Sequence, residues 1–269
     1  MTTSRDLLRQ SVVLLSAILA LVGSFVGSGS AGGTPIQNAS GGALAADATP
    51  IAPGGPAFAI WTPIYAGLVL YAIWQFLPIK KTDARQRRLG YPIAASLLLN
   101  AAWILSVQFD LLWLSVPVIV LLLAVLVWVF LIILDTRPGS IVETVVVDGT
   151  MGLYLGWVCV ATAANITAAL VAAGFDGFGL APDVWGVAII AVAGLVGVVL
   201  AVVGRGRLTP TLALSWGLAW VAVARLTGDL GSTPTAIAAL VAVVVVVVVT
   251  VVLRIRAPRR LNATVQVNA

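Results

Sequence analysis

The chain has 269 residues, of which 61% are hydrophobic and only 9% charged, a balance that excludes an ordinary water-soluble domain and points to the membrane class. It contains no His, one Cys (Cys159) and two Met, so zinc sites, ordinary haem ligation, His-containing triads and a disulfide framework lack their residues. The net charge of +5 and the sequence pI near 10.0 follow from juxtamembrane Arg and Lys, which set topology and meet anionic lipid, and do not require nucleic acid.

Eight apolar stretches are expected to span, each near the ~20 residues that ~30 Å of hydrocarbon demands. The first, residues 10–29, follows Arg5 and Arg9 and holds Gly23-Ser24-Phe25-Val26-Gly27, a small-xxx-small spacing that lets helices approach. Basic residues, an apolar run and then Gly29-Ser30-Ala31-Gly32 also outline a signal peptide. The run from Val12 to Ser28 is longer than the apolar region of about 7–15 residues usual there, which favours a retained span. A connection over about residues 30–57 follows, rich in Gly, Ala, Ser and Pro. A loop this long in a compact bundle is typically a functional lid or disordered.

The second span, residues 58–78, carries Trp61, Tyr65, Leu68, Ala72 and Gln75 within a narrow arc at about 100° per residue. After a basic loop with Lys80, Lys81, Arg85, Arg87 and Arg88, the third span, 91–109, aligns Ser96, Asn100, Trp103 and Val107. The fourth is 112–134. The fifth, 149–173, groups Tyr154, Trp157, Ala161 and Asn165 on one side. Amides are costly against lipid, so these three polar and aromatic faces should point into the bundle. There they either wall a ligand cavity or merely tie helices together.

The sixth span, 184–203, has a small-residue stripe of Ala193, Gly197 and Ala201. The seventh, 209–227, carries Trp216 and Trp220 on a face expected to pack against neighbouring helices. Near its end stands Arg225, with Asp229 at i+4, where the two can pair or clamp a carboxylate. The eighth, 233–253, with Val241, Val243 to Val249, Val251 and Val252, reads as lipid-facing. Trp74, Trp113 and Trp185 lie near span ends and suit an interfacial aromatic belt.

All 15 Lys and Arg except Arg225 fall on the amino terminus, alternate connections and the tail, while Asp47, Asp110, Asp176, Asp183 and Asp229 occupy the others. The positive-inside rule then places both termini in the cytoplasm. Only two of the basic residues are Lys, and Ala, Val and Gly abound, as in GC-rich bacterial genomes, so the expected location is a bacterial inner membrane. Neither Lys lies in a span, which removes a retinal Schiff base. No acid sits mid-span, which argues against a proton pump. Paired Asp-rich motifs for magnesium diphosphate are missing, which argues against a prenyltransferase.

Three segments carry a resemblance. Tyr154-Leu155-Gly156-Trp157-Val158-Cys159-Val160-Ala161-Thr162-Ala163-Ala164-Asn165 resembles the Pro-Tyr-Leu-x-Trp…Ala-Thr-x-x-Asn signature of the TspO/MBR family, the tryptophan-rich sensory or translocator proteins, with Leu153 in place of Pro. Leu99-Asn100-Ala101-Ala102-Trp103 is similar to its third-helix motif. Phe58-Ala59-Ile60-Trp61-Thr62-Pro63-Ile64-Tyr65 is similar to its second, with one residue fewer between Phe and Trp.

Over about residues 8–173 the resemblance implies a five-helix bundle that binds a tetrapyrrole, or a sterol-like or isoprenoid lipid, beneath a lid after the first helix. The implied pocket residues are Trp61, Tyr65, Asn100, Trp103, Tyr154, Trp157, Ala161 and Asn165, with Arg225 and Asp229 as a separate anion contact read from the residues alone. The family's first pocket Trp falls on Gly55 here, which weakens any expectation of porphyrin breakdown, and no enzyme activity is expected.

The expected fold is thus an all-α polytopic bundle: a core over 1–173, a three-helix extension over 174–258 and a cytoplasmic tail over 259–269. Its expected role is receptor, sensor or carrier for a hydrophobic planar ligand; a transporter of small hydrophobic or anionic compounds and a structural subunit of a larger complex are the alternatives. No cofactor is required; a tetrapyrrole or lipid is the bound group that could be present. The expected partners are membrane lipids and that ligand, with a homodimer open and nucleic acid not expected.

Overall fold

The computed structural model describes residues 4–27, 29 and 34–257. Ser30, Ala31 and Gly32 of the sequence features above, the first residues of the lid, and the tail with Arg259 and Arg260 lie outside the described residues.

Eight helical rods run in chain order and no strand occurs among the described residues. They are α1 (Ser4–Gly27), α2 (Trp61–Trp74), α3 (Ala84–Gln108), α4 (Leu112–Asp135), α5 (Ile141–Ala172), α6 (Pro182–Val203), α7 (Leu208–Thr227) and α8 (Thr233–Arg256). A 3-10 segment, Gly55–Ile60, leads into α2 and brings that rod to 20 residues. Seven rods are long and apolar enough to cross a membrane. The remaining one, α7, is diluted by Thr209, Pro210, Thr211, Ser215 and Arg225, and it packs against α5, α6 and α8.

Helix starts differ from the expected spans where polar caps look like loops. Asp83 accepts the backbone N–H groups of Arg85 (2.8 Å) and Gln86 (3.1 Å), so α3 begins two turns before residue 91 and the basic loop is largely helix. Ser140 caps α5 through the Glu143 N–H, and that rod starts at Ile141 instead of 149. Its first turns include a π-helical stretch, Thr144–Gly149.

Positive charge at a helix N-terminus is unfavourable, and acids from other elements offset it. Arg87 meets Asp6 at 2.7 Å. Arg88 meets Asp135 at 2.8 Å. Buried Arg85 is shared between Glu143 (2.8 Å) and Asp148, while Lys80 adds a 2.7 Å contact to Glu143 and Arg207 a 3.0 Å contact to Asp148. Five of the basic residues expected to face lipid headgroups are therefore paired with acids at one end of the bundle, Arg85 buried and Arg87 and Arg88 near the surface.

In the core α1 packs along α3, α3 along α4 and α4 along α5, and α2 links α5 back to α1, closing a five-helix ring. The extension attaches through α7, which lies along the outside of α5; α8 then packs on α7, and α6 on α8. Gly156 makes the α5–α7 approach possible, because a Cβ there would collide with the Pro210 carbonyl. The junction is continuous: Ala213 of α7 belongs to the apolar core of the ring, and Val160 of α5 to that of the extension. One face of α8 (Ala236, Ala239, Ala242, Val246, Thr250) is buried, and Gly194 of α6 sits so near Ala242 that an added Cβ would stand 3.0 Å from it. Only its other faces, with Val244, Val245 and Val248, are exposed as the sequence suggests.

Candidate ligand-binding site

The ring interior is built from the three stripes. On α2, Trp61 and Tyr65 stand one turn apart and stack with centroids 5.2 Å apart. Trp61 also meets Tyr154 (5.7 Å) and Trp157 (6.3 Å) of α5 edge-on. Phe58, from the 3-10 turn, adds an edge contact of 5.7 Å to Trp157. Edge-to-face and offset geometries of this kind are favoured by the ring quadrupole and hold each plane in place.

The polar groups divide in two ways. Asn165 is a tie: it accepts the Trp103 indole N–H at 3.0 Å and donates to Ser115 Oγ at 2.9 Å, joining α3, α4 and α5. Asn100 donates to Tyr65 Oη at 2.6 Å, while its own Oδ1 is buried without a protein partner. The Trp157 Nε1 is likewise buried and unpartnered, whereas the Tyr154 hydroxyl donates to the Ser96 carbonyl at 3.2 Å. Binding a polar group or water at Asn100 and Trp157 would relieve a cost of ~1–3 kcal/mol each.

Two cavities adjoin these aromatics. The inner one, about 30 Å³, lies between Trp61, Trp103, Trp157 and Ala161 and is roofed by lid residues such as Leu44, Thr49 and Pro53. The other, about 360 Å³, opens toward α1 and is lined by Ser24, Gln37, Tyr65 and Ile104 among others. Phe58, Trp61 and Trp103 border both and form the partition. Of the eight residues singled out from the sequence, Trp61, Tyr65, Trp103, Trp157 and Ala161 thus line a cavity; Tyr154 and Asn100 brace the aromatic wall, and Asn165 is used up between helices. At Gly55, where the family pattern has Trp, an added Cβ would face open space, with only Gln37 Nε2 as near as 4.0 Å.

Arg225 has a different partner from the one its spacing suggests. No salt bridge joins it to Asp229 among the described residues. Arg225 is 2% exposed, and its guanidinium donates to the lid carbonyls of Thr49 (3.1 Å) and Ala46. The rest of α7 grips the same loop. Trp216 Nε1 donates to the Ala57 carbonyl at 2.9 Å, and the Gly54 N–H donates to the Trp220 carbonyl at 3.1 Å. On the other side Ser40 Oγ donates to the Val107 carbonyl at 2.8 Å, anchoring the lid to α3. The described part of the long loop, residues 34–57, is therefore a roof over the chamber, fastened mainly by the extension. Sequence reasoning missed this role of α7, since Trp216 and Ala57 lie 159 residues apart and no local pattern links them.

The profile of the family described as TSPO-like protein matches residues 13–253, running through the ring and on across α6, α7 and most of α8. Comparison with curated proteins finds no match, and comparison with solved structures finds none. The three motifs, the aromatic ring interior and this match over most of the chain agree: the protein belongs to the TSPO-like family, helical membrane proteins of the general ligand-binding or sensory kind.

Proposed function

We propose that the protein is a membrane receptor or carrier whose five-helix ring takes a hydrophobic planar ligand, a tetrapyrrole before a sterol-like or isoprenoid lipid. The observation that carries this reading is the convergence of Trp61, Trp103, Trp157 and Phe58 on two adjoining cavities, with two polar atoms buried and unpartnered: Nε1 of Trp157, which lines the inner cavity, and Oδ1 of Asn100, behind the Tyr65 that lines the larger one. Stacking and apolar burial would supply affinity, and the two polar atoms orientation.

Size sets a condition. The inner cavity admits one water, and the larger one is at the lower end of the ~300–1,000 Å³ usual for small-molecule sites, so a macrocycle enters only if the lid lifts and the partition rings turn. Binding is then coupled to release of the lid from α7. The reading is one of binding without chemistry, in a bacterial inner membrane with both termini cytoplasmic and lipid as the surrounding partner. A transporter that uses Arg225 to hold an anion fits less well, because that guanidinium already serves the lid carbonyls.

Titration of the purified protein with protoporphyrin should quench tryptophan fluorescence saturably. Trp157→Leu should weaken binding about tenfold, the loss expected when one aromatic wall and its buried area go. Equal affinity in the variant, or quenching that never saturates, removes the site.

A further inference from the structure

A cavity of about 700 Å³ lies outside the ring, in the seam between the end of α5, the start of α6 and the lid residues Asp47, Ala48 and Pro50. It is separate from the aromatic chamber. Along α5, Ala161, Ala164 and Ala168 face the chamber, whereas Ala163, Thr167 and Leu170, on a face turned by about 120° at about 100° per residue, line this cleft. From Leu170 to Ala163 it runs inward by ~10 Å at the rise of a helix.

Its outer wall is built and held. Phe175, Phe178 and Trp185 form a three-ring cluster with centroid distances of 5.0, 5.9 and 6.4 Å. The Trp185 indole donates to the Gly177 carbonyl at 2.9 Å, and Asp176 accepts the Phe178 N–H at 3.0 Å. Gly177 has φ 70°, and a Cβ there would lie 2.8 Å from Trp185 Nε1, so glycine is required on both counts. These contacts fix the indole against its own turn, where it borders the cleft without filling it.

Charge decides what fits. Asp47 and Asp176 border the cleft, and neither forms a salt bridge among the described residues. The loops at this end carry no Lys or Arg; Arg225, which donates to Thr49 and Ala46, does not line the cleft but keeps its charge and offsets part of that of Asp47, leaving two acids against one cation. On that balance a cation is favoured over an anion, and the aromatic rings of Phe175 and Trp185 in the wall suit one. The remaining wall is apolar, with Ile166, Leu170 and Ile189. We propose that this cleft binds an amphiphilic organic cation, its apolar body between α5 and α6 and its protonated or quaternary head at Asp47 and Asp176.

The test uses the full chain in nanodiscs of zwitterionic lipid, dialysed to equilibrium against tetraphenylphosphonium, with empty nanodiscs subtracted. Tetraphenylborate, nearly the same in size and opposite in sign, is the control. The phosphonium should bind saturably near one equivalent, and the borate should not. The double variant Asp47→Asn/Asp176→Asn, which keeps the acceptor for the Phe178 N–H, should bind about fivefold more weakly or worse. Thr167→Trp should narrow the cleft between α5 and α6 and weaken binding, and Trp157→Leu, in the chamber, should leave it unchanged. Equal uptake of both ions, no response to either cleft variant, or a co-purified phospholipid that the phosphonium fails to displace overturns the proposal.

Discussion

Arg225 shows how a single residue can take on a structural task through distance in sequence. A guanidinium near the end of a membrane helix can snorkel to the interface or pair with a nearby acid, and Asp229 stands at the right spacing for that. Instead the side chain is buried and caps two carbonyls of a loop 176 and 179 residues away. The Thr49 carbonyl also accepts the Ala52 N–H at 3.2 Å, so the guanidinium adds a second donor there; hydrogen bonds from a charged donor contribute ~1.5–3 kcal/mol. Arg225→Met preserves the apolar stem and removes the donors. Hydrogen exchange at residues 46–54 should then quicken about tenfold or more, since local opening loses that contribution. The helices of the ring should keep their protection. Exchange at the lid that is unaltered by the change means that the loop is held by its other contacts alone.

At the scale of elements, the ion pairs at the basic end sort by burial. Asp148 lies in the π stretch of α5 and is gripped by Arg85 of α3 and by Arg207 just before α7, so it joins ring and extension. Removing one partner of such a buried set strands the others, and Asp148→Asn should destabilise by ~3–5 kcal/mol. Asp135 and Arg88 form an exposed pair, and Asp135→Asn should stay within ~1 kcal/mol. Thermal melts of the two variants in detergent, side by side, check the contrast; similar losses would mean that burial does not rank these pairs. The difference also shows what sequence can reveal. Aromatic and amide stripes on α2, α3 and α5 are legible because helical periodicity is local and amides avoid lipid. The α3 and α5 starts are less so, because Asp83 and Ser140 look like loop residues until their side chains are seen to cap. Which acid meets which base depends on helix packing, and nothing in the spacing of Arg85, Asp148 and Arg207 announces it.

For the whole molecule, the relation between ring and extension matters most. Read from sequence, residues after 173 form a separate module of undefined role; in the structure α7 lies along α5 and supplies the lid with Arg225, Trp216 and the Trp220 carbonyl. The cavities within the ring are too small for a macrocycle under the closed roof, so under the proposed function α7 would contribute to the free energy of entry. The helix and the loop come close enough to test this directly. A Cβ built at Gly54 stands 3.8 Å from that of Ala224, the separation usual across a disulfide. The Trp220 ring edge, 3.3 Å from the same position, must shift by a few tenths of an ångström. Gly54→Cys with Ala224→Cys, in a Cys159→Ala background, should therefore form a bond that pins the lid to α7. The oxidised protein should bind protoporphyrin at least about tenfold more slowly than the reduced one, and dithiothreitol should restore the rate, because locking one state removes the open population from which the ligand enters. Identical association rates in both redox states would place the entry route elsewhere, through the ring wall from the lipid, and leave the extension as a brace without control over the chamber.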